Sequence, residues 1–216
     1  MPENLVPASR FHHESMVKNS RFIATIGPSF TVDQAKAFIA EISQVYSDAS
    51  HHVPAYIIGF GSSVIEHASD AGEPAGTAGR PALSVLKGSG LGDTVLVITR
   101  YFGGTKLGTG GLVKAYSQAA RYAIEQVPKA EKINTHRMSL NCHYAVYDQM
   151  MRLIASLHGF NLEQDFTDRV KIQLSLPSSA MEHFRKSALD LTKGSADIEI
   201  IAVDQPALKP IHDNSG

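Results

Sequence analysis

The chain has 216 residues, 43% hydrophobic and 19% charged, with a formal net charge of -1. That is the make-up of an ordinary globular protein with a real core, in one large domain or two small ones; it excludes fibrous and low-complexity classes and gives no global field for nucleic acid or membrane. The single cysteine, Cys142, excludes an intrachain disulfide, and no apolar run approaches the ~20 residues of a spanning helix, so the expected setting is cytoplasmic, with no membrane partner.

Residues 13–27 read as two extended pieces around Lys18-Asn19-Ser20, a hairpin. Thr31 with Gln34 is a capping-box signature, and Ala35, Phe38, Ile39, Ile42 and Val45 recur at helical spacing, predicting a helix over 32–46. "AYIIGF" (55–60) is a short buried strand, and "SSVIEHASD" (62–70) could pair with it. The segment 71–81 is too rich in Gly and Pro to be regular, and Pro81 suits the first turn of a short helix that stops at Gly88. "TVLVITRYF" (94–102) is a nearly continuous apolar run, hence a central strand. Thr109 is the expected N-cap of a helix through Val127, with Leu112, Tyr116, Ala119, Ala123 and Val127 inward.

"VPKAEKINT" (127–135) breaks the pattern and predicts a short exposed link. Beyond it the sequence restarts as strand 137–142, helix 144–157, strand "GFNLEQDF", strand 169–176, a helix opened by Pro177 and ended by Gly194, and strand "ADIEIIAV". That β-α-β-β-α-β order is the split ferredoxin-like sandwich. The predicted organisation is α/β (α+β), with domains at 1–134 and 135–204 and a disordered tail over 205–216.

Eleven of the 17 glycines lie in residues 72–111. The overlapping interval 80–121 holds Arg80, Lys87, Arg100, Lys106, Lys114 and Arg121 against one acid, Asp93. Gly103 and Gly108 have P-loop separation, but Thr109 stands where that loop needs Lys. A dinucleotide fingerprint from Gly108 fails at Val113, and one from Gly88 fails at Asp93. What survives is Gly-Thr-Gly-Gly at a helix start, where unpaired amides and the helix dipole favour an anion. The alternative is that Gly110 and Gly111 only permit tight packing of helix on strand.

Other chemistries find less support. His51 and His52 are adjacent on a strand and point to opposite faces, a poor metal pair. Cys142 in "SLNCHY" reads as a buried structural cysteine. Asp70 and Glu73 could be acid and base or Mg²⁺ ligands, or could cap the next helix or pair with Arg80. No catalytic residue, metal or cofactor is assigned.

"SDAGEPAGTAGRP" (69–81) followed by "VITRYFGGTKLGTGGLVKAY" (97–116) closely resembles the signature of the Impact family, in particular its bacterial YigZ-like branch. "KNSRFIA" (18–24), "AKAFI" (35–39) and "LTKGS" (191–195) extend the likeness. The resemblance implies a two-domain fold. Its N-terminal part would be a sandwich like that of ribosomal proteins, domain four of elongation factor G and small-metabolite kinases. Its C-terminal part would be like the ferredoxin-like last domain of the same factor. Eukaryotic relatives are translational regulators in amino-acid starvation signalling.

The expected function is non-enzymatic binding linked to translation, with RNA, the ribosome or a translation-related protein as partner. The alternative is an enzyme acting on a phosphorylated small molecule or nucleotide. The expected site joins the loop 69–80 (Asp70, Glu73, Gly76, Thr77, Gly79, Arg80) to the loop 100–114 (Arg100, Tyr101, Gly103, Gly104, Lys106, Gly108, Thr109, Gly110, Gly111, Lys114). Arg80, Arg100, Lys106 and Lys114 would contact phosphate or an acidic partner, the glycines would offer amides, Tyr101 would stack on a base or join the core, and Asp70 and Glu73 would orient the basic groups.

Overall fold

The computed structural model describes residues 4–61 and 63–211. These form two compact units, the first running to Glu131 and including Pro210 and Ile211, the second spanning Lys132–Lys209.

In the first unit come β1 (Leu5–Pro7), β2 (Phe11–Val17) and β3 (Ser20–Pro28). β2 and β3 are a hairpin turning at Lys18 and Asn19, whose φ values of 45° and 67° match the right-handed twist of the strands. Next is α1 (Val32–Val45). Thr31 Oγ1 accepts the Gln34 amide at 3.1 Å, but the Gln34 side chain accepts the amide of Phe30 rather than that of Thr31. Ala35, Phe38 and Ile42 are buried, whereas Val45, expected inward, is exposed because the helix ends there. The rest of the unit is β4 (His51–Ile58), β5 (Ile65–Ala68), α2 (Gly79–Gly88), β6 (Thr94–Tyr101) and α3 (Gly108–Gln126).

The sheet runs β2-β3-β6-β4-β5, antiparallel throughout, with β6 at its centre. Period two along β6 then decides the layers. Leu96 and Ile98 pack with Leu86 of α2 and with Tyr116 and Ala119 of α3, while Val95 and Val97 pack with Phe38 and Ile42 of α1. Both faces are covered, which is why the run is apolar almost without interruption.

The second unit carries most of β7 (Lys129–Cys142), then α4 (Tyr144–Ser156), β8 (Phe160–Phe166), β9 (Val170–Pro177), α5 (Met181–Leu191) and β10 (Asp197–Pro210). Its strand order β10-β7-β9-β8 is that of a ferredoxin-like sandwich. Val170, Ile172, Leu174 and Leu176 bury one face of β9 against Met150, Ile154, Phe184 and Ala188 of the two helices.

Two expectations need correction. The exposed link over 127–135 does not exist: from Lys129 the chain is strand, with Pro7, Val6 and Leu5 paired to Lys129, Ala130 and Glu131, and Thr135 paired to Pro177. Ala130 and Thr135 are buried there and Lys129, Glu131 and Lys132 are half-buried, so the charged residues belong to a paired strand and not to a linker. Residues 205–210, expected in a disordered tail, are the end of β10, and Thr135 Oγ1 donates to the Gln205 carbonyl at 3.1 Å. Residues 212–216 of that tail lie outside the described residues.

Candidate functional site

β6 ends at Tyr101 and β4 begins at His51, in register with Arg100. The two glycine-rich loops meet at this end of the sheet. What joins them is Glu73. Its carboxylate accepts from Arg100 Nη1 of β6 at 2.6 Å and from the Tyr116 hydroxyl of α3 at 2.8 Å, with His51 Nε2 at 3.9 Å. Glu73 and Arg100 side chains are 3% and 5% exposed. Arg100 Nη2 donates to Ser20 Oγ (3.2 Å), which also accepts the Gly103 amide (3.3 Å). Burial, then the hydrogen bond to Glu73, push the Tyr116 phenol far above its usual range, so it is a fixed donor at any physiological pH.

This corrects the role expected of Arg100. Residue 100 shares the face of Leu96 and Ile98, so its guanidinium lies beneath the helices and its charge is neutralised by Glu73. It ties the loops together and does not reach a phosphate from the surface. Tyr101 is also committed. Its hydroxyl donates to Asp48 at 2.7 Å and the Arg21 guanidinium lies 5.2 Å from its ring centre, so a cation already covers one face, and the residue is half-buried and outside the core.

Asp70 works within its loop. Its carboxylate accepts the amides of Gly76 (2.7 Å), Gly79 (2.8 Å) and Ala78 (3.0 Å), capping α2 from a distance. Burial raises its pKa, but those amides and the nearby Arg80 charge outweigh it and hold the carboxyl below its usual range. Thr77 is buried, its hydroxyl donating to the Pro74 carbonyl at 2.7 Å. Of the readings open for this acidic pair, helix capping fits Asp70 and a buried ion pair fits Glu73, though with Arg100 and not Arg80. Among the described residues no three His, Cys, Asp or Glu side chains gather as metal ligands would.

The glycines divide by role. At Gly79 a Cβ would sit 2.6 Å from the Ser69 carbonyl oxygen, and at Gly103 it would overlap the Asn19 backbone, so both permit backbone on backbone. Gly110 is different: a Cβ there meets nothing within 4 Å and its φ is not positive. Tight packing of helix on strand therefore does not explain it. At Gly111 a Cβ would meet only the Leu107 side chain, at 3.2 Å.

Thr109 is not the N-cap. The helix begins at Gly108, where φ is +74°, and Leu107 holds the cap position with no side-chain hydrogen bond and no acid in the first turn. Gly108, Thr109 and Gly110 are exposed, as are Lys106 before the helix and Lys114 one turn on, while Gly104 faces open space. The other cations have neighbours elsewhere: Arg80 lies beside Asp70, Lys87 pairs with Glu66 at 2.9 Å, and Arg121 lines a cleft with Glu125 and Lys129. Sequence reasoning missed Ser20 and the Tyr116 hydroxyl as parts of the site. The signal was available for Tyr116, since a buried tyrosine on an apolar stripe needs a partner for its hydroxyl.

Comparison with known proteins gives the family. Residues 18–124 match the model of the Impact N-terminal domain. The chain is 34% identical to IMPACT family member YigZ of Escherichia coli (strain K12), over 93% of this chain and 98% of the relative. It is 33% identical to IMPACT family member YvyE of Bacillus subtilis (strain 168), over 87% and 86%. A crystal structure described as that of an hypothetical protein superposes with a TM-score of 0.62 at 34% identity, covering 94% of this chain and 98% of that one. Identity at this level over nearly the whole length places the chain in the Impact family.

Proposed function

We propose that the chain is a cytoplasmic, non-enzymatic binding protein of the translation machinery that holds RNA or the ribosome on the uncapped start of α3. One observation carries this reading. Gly110 has open space above it in the first turn of a 19-residue helix, with exposed Lys106 and Lys114 on either side in sequence. Amides without intrahelical partners attract an anion, a Cβ would obstruct it, and two lysines add charge. The Glu73–Arg100–Tyr116 network supports the reading by fixing both loops without engaging the exposed lysines. The link to translation rests on the likeness to Impact-family regulators.

The test is co-sedimentation with ribosomes at low and moderate salt, with free RNA as control. Binding should fall steeply with salt because neutralised phosphates release counterions. Lys106→Ala and Lys114→Ala should each weaken it and flatten the salt slope. Absence of any salt-dependent binding refutes the proposal and favours an enzyme acting on a phosphorylated small molecule.

A further inference from the structure

The ferredoxin-like unit carries a basic cavity that the reading above does not use. It has a volume of about 140 Å³ and lies between the end of β7, the β8–β9 turn and the α5–β10 turn. That is room enough for a phosphate group. His143, Arg169 and Lys193 line it, each from a different one of those segments, with Asn141, Thr192 and Ser195. Among the described residues none of the three basic side chains pairs with a carboxylate within 4.0 Å. Asp197 is held by Asn141 Nδ2 at 3.0 Å. Lys193 and Gly194 have φ of +51° and +83° in the tight turn that ends α5, where the Gly194 amide donates to the Leu189 carbonyl at 2.8 Å. The turn is thus fixed, and with it the Lys193 backbone.

Beside the cavity stand two aromatic rings. Tyr144 follows His143, and Phe166 pairs with Val170 just across the turn that holds Arg169. Each is 53% exposed, and their centroids are 6.4 Å apart at 33°. The Tyr144 hydroxyl donates to the Thr167 carbonyl at 2.8 Å, and Tyr147 meets the Phe166 ring edge-on at 5.6 Å, so the pair is held in place. Even with these contacts each ring keeps much of its surface open, which leaves it available for stacking. Fixed aromatics next to a phosphate-sized cationic cavity suit unpaired bases on a phosphate backbone.

We infer that this cavity binds a backbone phosphate of single-stranded RNA while neighbouring bases stack on Tyr144 and Phe166. Arg169 and Lys193 neutralise the phosphate, Asn141 bonds it through the amide hydrogen not given to Asp197, and the site selects against duplexes, whose bases are already stacked.

The experiment is a titration of the ¹⁵N-labelled full-length chain with a short oligouridine, followed by amide shifts, with the matching RNA duplex and inorganic phosphate as further arms. Oligouridine should shift Val146, Lys193 and Ser195, phosphate should shift Lys193 and Ser195 more weakly, and the duplex should do least. Arg169→Ala with Lys193→Ala, both exposed positions, should weaken oligouridine binding roughly tenfold and lower the salt slope by ~0.7 for each phosphate no longer neutralised. Tyr144→Ala should also weaken it roughly tenfold, while Tyr144→Phe, which keeps the ring, should bind like the parent. Thermal melts check that each variant is folded. Unmoved Val146, Lys193 and Ser195, equal binding of the duplex, or unchanged affinity in the Arg169/Lys193 variant overturns the inference. Shifts at Thr109–Gly111 report on the α3 site separately, so either site can fail alone.

Discussion

Replacing Glu73 by alanine is the sharpest test of how the two glycine-rich loops are held. The substitution removes the carboxylate 2.6 Å from Arg100 Nη1 and 2.8 Å from the Tyr116 hydroxyl. It leaves a guanidinium whose side chain is 5% exposed with Ser20 Oγ as its remaining side-chain partner, since its Nε already has none. Stranding one member of a buried pair costs about 3–5 kcal/mol, and the Tyr116 hydroxyl loses its partner as well, though the two losses are not additive. Against a total stability of ~5–15 kcal/mol that is a large fraction. At ~2–4 °C per kcal/mol for a chain of this size, the melting temperature should fall by roughly 6–20 °C. Removing both charges, as Glu73→Leu with Arg100→Met, should restore much of the loss, because the attraction within a buried ion pair does little more than offset its own desolvation. Urea melts of Glu73→Leu alone, Arg100→Met alone and the double variant close a mutant cycle. A Glu73→Ala chain within about 1 kcal/mol of the parent, or a cycle with no coupling, would show that the loops are held by something else.

Gly110→Ala should keep or slightly raise the melting temperature, since alanine is the better helix former by ~1 kcal/mol and meets open space, yet lose ribosome binding. Gly103→Ala should lower the melting temperature sharply, because its Cβ overlaps the Asn19 backbone. Asp70 has a folded pKa below its unfolded value of ~3.9, so its contribution is complete at neutral pH and disappears as pH falls through the folded value. Asp70→Ala should therefore cost about 1 kcal/mol at pH 7 and less in strong acid, read from urea melts across pH. Limited proteolysis should spare 129–135, now seen as strand, and early cleavage there would contradict the pairing of β1 and β9 with β7.

By itself the sequence determined most of the local elements and their order, though not β1 or the outer ends of β7 and β10. Thr31 and Gln34 started α1, Lys18-Asn19 turned a hairpin, strict alternation gave β9, and the apolar run 94–102 proved to be the central strand. These follow from near-neighbour sterics, capping and period, which a sequence carries directly. Tertiary structure alone decided which polar side chains are already paired. Arg100, Glu73 and Tyr116 come from a strand, a loop and a helix, separated by 27 and 43 positions in their two hydrogen bonds to Glu73. Only the register of β6 beneath α3 turns Arg100 from a surface cation into the buried partner of Glu73. The same holds at Lys129–Thr135, where charges that read as a linker became half-buried positions of β7 once β1 and β9 paired with it. Burial depends on long-range pairing, and long-range pairing is what local pattern does not encode.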